Sequence, residues 1–124
     1  MKKLVEKVIE NHSTKEVFLF RIACASCGTE YANKAIHFSK AGINPATKAK
    51  ETIYAAMYEQ EMIAAQQIAV RIAAENMNYC PICKRLVCNQ CFLICDDLDM
   101  CVQCATDLNE QGQPVLPRII DAAI

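Results

Sequence analysis

A chain of 124 residues is one domain by length, long enough for a modest core but short for a robust one. Its 53 % hydrophobic content overstates that core, because nine cysteines and seventeen alanines bring little apolar area and tryptophan is absent. A formal charge of −1, with no basic run longer than two residues, argues against a nucleic-acid binder that works by neutralising phosphates.

Residues 1–12 fit a short amphipathic helix, with Leu4, Val5, Val8 and Ile9 on one side and lysines and glutamates on the other. The start is basic, yet Glu6, Lys7, Glu10 and Asn11 interrupt its apolar run, so it does not read as a secretory signal. EVFLFRIA, residues 16–23, is β-rich and leads directly into Cys24, as a strand delivering a metal knuckle would. Gly28 follows Cys27, where a positive φ lets backbone amides turn towards a thiolate. Residues 29–39 fit either a return strand or a short helix.

AGINPATKAK marks a boundary. Asn44 can cap a helix and Pro45 suits its first position. From there to Tyr79 no glycine or proline intervenes, which predicts one helix of about thirty residues, about 50 Å long. Tyr54, Tyr58, Met62, Ala65, Ala69 and Ile72 form an apolar stripe that Ile53, Met57, Ala64 and Ile68 broaden. Gln60, Gln67, Arg71 and Glu75 form the wet face. Part of the stripe is expected to pack on the N-terminal elements, and the remainder to meet a protein partner or a second copy of the chain. No apolar run approaches the roughly 20 residues of a membrane span.

The segment CPICKRLVCNQCFLICDDLDMCVQC, residues 80–104, then places seven cysteines in twenty-five positions. With Cys24 and Cys27 there are four Cys-x-x-Cys pairs and one cysteine over. Without a secretory signal the expected compartment is the cytoplasm, where thiols stay reduced and such density points to metal before disulfides. Zinc prefers a tetrahedron of soft ligands at about 2.3 Å, and two pairs, each in a tight turn, complete one shell. Four pairs therefore predict two closed sites and two zinc ions. Cys80, Cys83, Cys101 and Cys104 have zinc-ribbon spacing, which leaves Cys24, Cys27, Cys88 and Cys91 to share the other ion. A sequential alternative would join Cys80, Cys83, Cys88 and Cys91 across only four intervening residues.

Lys84, Arg85 and Arg21 stand where they can offset thiolate charge, or else are ordinary surface. Cys95 reads as a small buried apolar residue, a substitute ligand or a reactive thiol. His12 and His37 stand outside any ligand spacing, and Asp96, Asp97 and Asp99 are expected to cap the turn they occupy. ATDLNEQG suggests a last helical turn or two closed by Gly112. The apolar end of QPVLPRIIDAAI is a second candidate for a partner contact.

CPIC…LVCNQC…CVQC resembles treble-clef and zinc-ribbon modules, and its interleaved pairing is similar to the cross-brace of RING, FYVE and LIM domains. LVCNQCF is similar to the middle of a FYVE finger. The full layout, over most of residues 17–105, looks like small bacterial double-zinc-ribbon proteins, which implies two zinc ions at the eight paired cysteines and no assigned activity. The R-K-H-H-type cluster of FYVE domains is missing, so phosphoinositide binding does not carry over. A long helix between the first two pairs likewise gives a ubiquitin-ligase reading no support.

The expectation is a small α+β metal-stabilised fold in which two zinc-knuckle or treble-clef sites are joined by one long α-helix. It is a single domain, 1–124, divided into the N-terminal helix, strand and first knuckle (1–43), long helix (44–79), cysteine module (80–105) and tail (106–124). No Ser/His/Asp set, phosphate loop or carboxylate pair suggests catalysis. A non-enzymatic zinc protein acting through protein contacts is therefore expected, with a nucleic-acid or transcription-associated ribbon and a thiol redox or metal sensor as alternatives.

Overall fold

The computed structural model describes residues 1–115, which form a small α+β structure. The apolar end of the tail, from residue 116, lies outside the described residues. Two compact units are present among the described residues: a helical unit of Lys2–Ile22 and Tyr31–Ala73, and a cysteine unit of Met1, Ala23–Glu30 and residues 74–115.

In the helical unit α1 (Lys2–Val8) is shorter than the expected amphipathic helix and buries Val5, while Val8 is exposed. The chain then turns into β1 (Glu10–Asn11), β2 (Val17–Phe18), β3 (Phe20–Ala23), β4 (Glu30–Ala32) and β5 (Ile36–His37). The segment read as a return strand or a helix is thus two short strands. The β-rich run 16–23 is split at Leu19 because its pairing partner changes: Phe18 lies opposite Ile36, whereas Phe20 lies opposite Asn11. Phe18, Phe20 and Ile22 are all buried, so the two-residue alternation survives the split. Buried Asn33 covers the join, its Oδ1 accepting from the Phe20 amide at 2.7 Å and its Nδ2 donating to the Phe18 carbonyl at 3.2 Å. Backbone groups between changing ladders need such a partner.

The long helix, α2, is Lys48–Asn76, 29 residues and about 44 Å. It starts after the expected Asn44–Pro45 signal because Thr47 supplies the cap, its Oγ1 accepting from the Lys50 amide at 3.1 Å. Tyr58, Met62, Ala65 and Ala69 of the predicted stripe face Phe18, Phe20, Ile36 and Phe38. Small alanines at the centre leave room for the aromatic rings, and Phe18, Phe38 and Tyr58 pack with centroids 5.0 to 6.1 Å apart. The Tyr58 hydroxyl leaves this cluster to donate to the Thr14 carbonyl at 2.6 Å. The wet face is as expected, but the stripe is narrower, since Ile53 and Ala64 are exposed; Ile63, outside the stripe, is 54 % exposed. Among the described residues no helix is long and apolar enough to cross a membrane.

α2 stops three residues before Tyr79, although no glycine or proline ends it. Met77–Tyr79 forms β6 and pairs antiparallel with β7 (Leu86–Cys88), Met77 opposite Cys88. Sheet pairing wins over helix propensity there, and Met77 is buried by it. A 3₁₀ turn (Asn89–Cys91) leads to β8 (Phe92–Cys95), β9 (Met100–Cys101), α3 (Val102–Leu108) and β10 (Gly112–Pro114), with β8 central in a three-stranded sheet. Val87, Met100, Ala105 and Phe92 complete a thin apolar interior.

α3 is not closed by Gly112. Asn109 takes the left-handed conformation (φ 59°), and the Glu110 amide donates back to the Ala105 carbonyl at 2.8 Å, which satisfies the helix end three residues earlier. Gly112 instead lies opposite Cys95 on β8, where an added Cβ would stand 2.5 Å from the Ile94 carbonyl oxygen and 2.8 Å from Cys95 Sγ. Replacing Gly112 with alanine is therefore expected to lower stability by about 1–3 kcal/mol, measured by denaturant unfolding. An unchanged midpoint would show that β10 does not press on β8.

Candidate metal centres

Two groups of four thiols converge within the cysteine unit: Cys24, Cys27, Cys88 and Cys91, and Cys80, Cys83, Cys101 and Cys104. In each group the sulfurs all lie within 4.8 Å of one another, so each can hold a metal ion. The grouping is interleaved, first pair with third and second with fourth. The members of the sequential alternative fall into different groups. All nine cysteines are free thiols, and His12 and His37 belong to neither group.

The two groups share a construction. Each takes one pair from a tight turn and one from a helical turn. In the first tight turn the Gly28 amide donates to the Cys24 carbonyl and the Cys24 amide to the Thr29 carbonyl, both at 2.9 Å. The second repeats this six residues for six, the Lys84 amide donating to the Cys80 carbonyl at 2.7 Å and the Cys80 amide to the Arg85 carbonyl at 2.9 Å. Both turns need a positive φ after their second cysteine, supplied by Gly28 (78°) and by Lys84 (61°). Cys88 and Cys91 bracket the 3₁₀ turn, while Cys101 caps α3 and accepts the Cys104 amide on its own sulfur at 3.4 Å.

Sulfur-to-sulfur distances fit a cation. A tetrahedron with metal–sulfur bonds of about 2.3 Å has edges of about 3.8 Å. The close pairs measure 3.8 Å for Cys27–Cys88, 3.9 Å for Cys80–Cys104 and 3.8 Å for Cys83–Cys101. Backbone amides converge on the buried sulfurs as they do on anions: Cys24 Sγ accepts from Ser26 and Cys27 at 3.4 Å and from Cys88 at 3.2 Å, and Cys80 Sγ accepts from Cys101 at 3.4 Å.

Acidity is divided unequally among the thiols. The hydroxyl and amide of Thr29 hold Cys27 down to about 6. The Arg85 side chain does the same for Cys83, also to about 6. Burial opposes ionisation of Cys80, but the amides of Cys83, Cys101 and Ile82 outweigh it and the thiol is lowered. Burial and the neighbouring sulfurs push Cys91 and Cys104 up to about 12. Each group thus holds one thiol ready to ionise near neutrality and one that yields its proton only to a competing cation.

Of the three cations expected near sulfur, Arg85 touches it: Nε donates to Cys83 Sγ at 3.2 Å, and Nη2 lies 4.0 Å from Cys101 Sγ. Lys84 serves the turn through its backbone, and Arg21 lies on β3 opposite Glu10. Cys95 joins neither group. It sits half-buried on β8, its amide donating to Asp99 Oδ1 at 3.0 Å, so Asp99 caps the turn as expected. Burial, Glu110 and Asp99 raise the Cys95 thiol, the opposite of what a reactive sensor needs. Sequence reasoning missed Thr29 and Gln103, which partner Cys27 and Arg85; a hydroxyl two residues past the second cysteine was the available signal for the first.

Compared with protein-family models, curated proteins and solved structures, the chain matches none. The resemblance to treble-clef and double-zinc-ribbon proteins accordingly rests on the cysteine motifs alone.

Two expectations follow from the turns and from the protons. Lys84→Gly should stabilise the folded chain by about 0.5–1 kcal/mol and Gly28→Ala, whose Cβ meets nothing within 4 Å, should cost about 1–2 kcal/mol through φ alone; opposite signs in thermal unfolding of the two variants are the check. Cation binding should weaken as pH falls, by at least roughly tenfold per unit near neutrality, because one raised thiol per group must lose its proton. Below about 6 the slope should steepen as Cys27 and Cys83 also become protonated. A competition titration against a chelator at several pH values measures this, and a flat profile would refute it.

Proposed function

We propose that the protein is a non-enzymatic, cytoplasmic zinc-binding protein whose two four-cysteine centres are structural and whose exposed surface makes protein contacts. The observation that carries this reading is the closure of both groups: four sulfurs within 4.8 Å of one another, with close pairs at 3.8 to 3.9 Å, are enough to fill the coordination shell of one zinc ion. A filled shell leaves no position for an activated water, which removes the usual route to metal-assisted hydrolysis. Soft thiolates in a tetrahedron suit zinc among the common divalent ions, and nine free thiols suit a reducing compartment.

Zinc would supply what this interior lacks. Structural zinc binds peptides with about 10–16 kcal/mol, comparable to the whole net stability of a typical domain, about 5–15 kcal/mol. For the protein contact, Ile53 and Ile63 on α2 are 47 % and 54 % exposed and lie within about 80° of each other around the helix. Ile53 belongs to the predicted stripe and Ile63 lies outside it, and both are left uncovered on α2. The nucleic-acid alternative loses Arg85, which is committed to sulfur and to Gln103, and the sensor alternative passes from Cys95, whose thiol is raised, to exposed Cys27, held down to about 6.

Metal analysis of the purified chain should give two zinc per polypeptide, and chelation under reducing conditions should abolish hydrogen-exchange protection in residues 23–30 and 74–115. One ion, none, or iron in place of zinc would overturn the reading, as would protection that survives complete removal of metal.

A further inference from the structure

One guanidinium reaches from the sulfurs of one centre to the turn that carries two cysteines of the other. Besides its bonds to Cys83 and Cys101, Arg85 donates from Nη1 to the Ala25 carbonyl at 3.0 Å, and Ala25 lies inside the tight turn between Cys24 and Cys27. Gln103 fixes the rotation of the fork by accepting from Nη2 at 2.8 Å. Residues 25–29 of that turn are exposed, so hydrogen bonds, not packing, must order it. Both polar backbone groups of Ala25 are taken by the same short stretch: its amide donates to the Leu86 carbonyl at 3.0 Å, and its carbonyl accepts from Arg85.

We propose that Arg85 is a positioning residue that couples the two metal centres, so that loading Cys80, Cys83, Cys101 and Cys104 raises the affinity of Cys24, Cys27, Cys88 and Cys91. The proposal rests on the reading of both groups as metal sites. A four-thiolate centre keeps a formal net negative charge after a divalent ion enters, so the guanidinium stays attracted to Cys83 and Cys101. Arginine is planar and rigid, which transmits that hold to its opposite edge. The held Nη1 fixes the Ala25 carbonyl, and with it the turn that presents Cys24 and Cys27. Ordering already completed is ordering that the second ion need not impose. By linkage the effect is reciprocal.

Geometry and charge make different predictions here. Lysine at 85 keeps the charge beside the sulfurs but has a single donor head that cannot span to Ala25 as well; glutamine loses both. The full chain is loaded with cadmium, the two four-thiolate centres are followed as separate cadmium NMR signals, and Cys27→Ser identifies the signal of the first centre. On titration with a chelator, Arg85→Lys and Arg85→Gln should both release the ion of the first centre at about tenfold lower chelator than wild type, although the Arg85 bond on that side goes to a backbone carbonyl and not to sulfur. Wild-type retention in Arg85→Lys would mean that charge alone acts, and would overturn the bridge; wild-type retention in both variants would overturn any role for Arg85. If wild type itself takes up no cadmium, the metal reading fails and not merely the coupling. Should neither Arg85 variant load, Gln103→Ala tests the same idea by freeing the fork: earlier release from the first centre supports it, and unchanged release refutes it.

Discussion

Convergence of four sulfurs on one point, twice, is the constraint to which the cysteine unit is fitted. A thiolate is a poor neighbour for other thiolates, and the chain offsets that repulsion locally. Amides from three residues reach Cys24, an amide from β9 reaches Cys80, and a guanidinium reaches Cys83. Apolar burial is correspondingly spare, because Val87, Met77, Met100 and Ala105 have to share the interior with the sulfur groups. In the helical unit the balance is reversed. There a cluster of three aromatic rings on an alanine-lined helix face supplies the order, with Asn33 and the Tyr58 hydroxyl satisfying the backbone where strand pairing stops.

The two tight turns are one solution written twice in different residues. Both require the chain to reverse so that two sulfurs point the same way, and both place a left-handed residue immediately after the second cysteine. Gly28 adopts that backbone without steric cost, whereas Lys84 does so against its own Cβ. A residue with a long charged side chain is retained at a position better served by glycine, and nothing in the backbone geometry accounts for it. The next residue in each turn also has a job at sulfur. Thr29 lies 3.1 Å from Cys27 Sγ and Arg85 donates to Cys83, so the position after the left-handed residue sets the acidity of the cysteine before it.

Legibility in the sequence followed how local each determinant is. Cys-x-x-Cys spacing is a local constraint, and so are glycine after the first knuckle and the alanine-rich run of α2; these could be read directly. The ends of α2 could not. Thr47 outcompetes Asn44 because its hydroxyl reaches the Lys50 amide, and Met77–Tyr79 leaves the helix because the strand that begins at Leu86 offers pairing. Leu19 breaks a β-rich run for the same kind of reason, a change of partner that no window of residues records. The helix stripe was read too wide: Ile53 and Ala64 satisfy the periodicity, but the strands available to cover α2 are two to four residues long and reach only Tyr58 to Ala69. Gly112 was misassigned because a glycine after a helical segment usually ends it, whereas here its missing Cβ makes room for the Cys95 sulfur.

Interleaving has a consequence that sequential pairing would lack. Had Cys80, Cys83, Cys88 and Cys91 shared an ion, that centre would close a short local loop, and Cys24 and Cys27 would be left to join Cys101 and Cys104 across most of the chain. With first joined to third and second to fourth, the five residues from Lys84 to Cys88 run from a member of one group to a member of the other, and they carry the left-handed turn, the bridging guanidinium and β7. Cys83 and Cys88 are thus separated by four residues, and Cys88 in turn presents its amide to Cys24. The segment is also pinned along its length, at Arg85 by sulfur and by Ala25, at Leu86 by the Ala25 amide and at Cys88 by Met77. The two groups are therefore joined by hydrogen bonds as well as by the chain between Cys83 and Cys88.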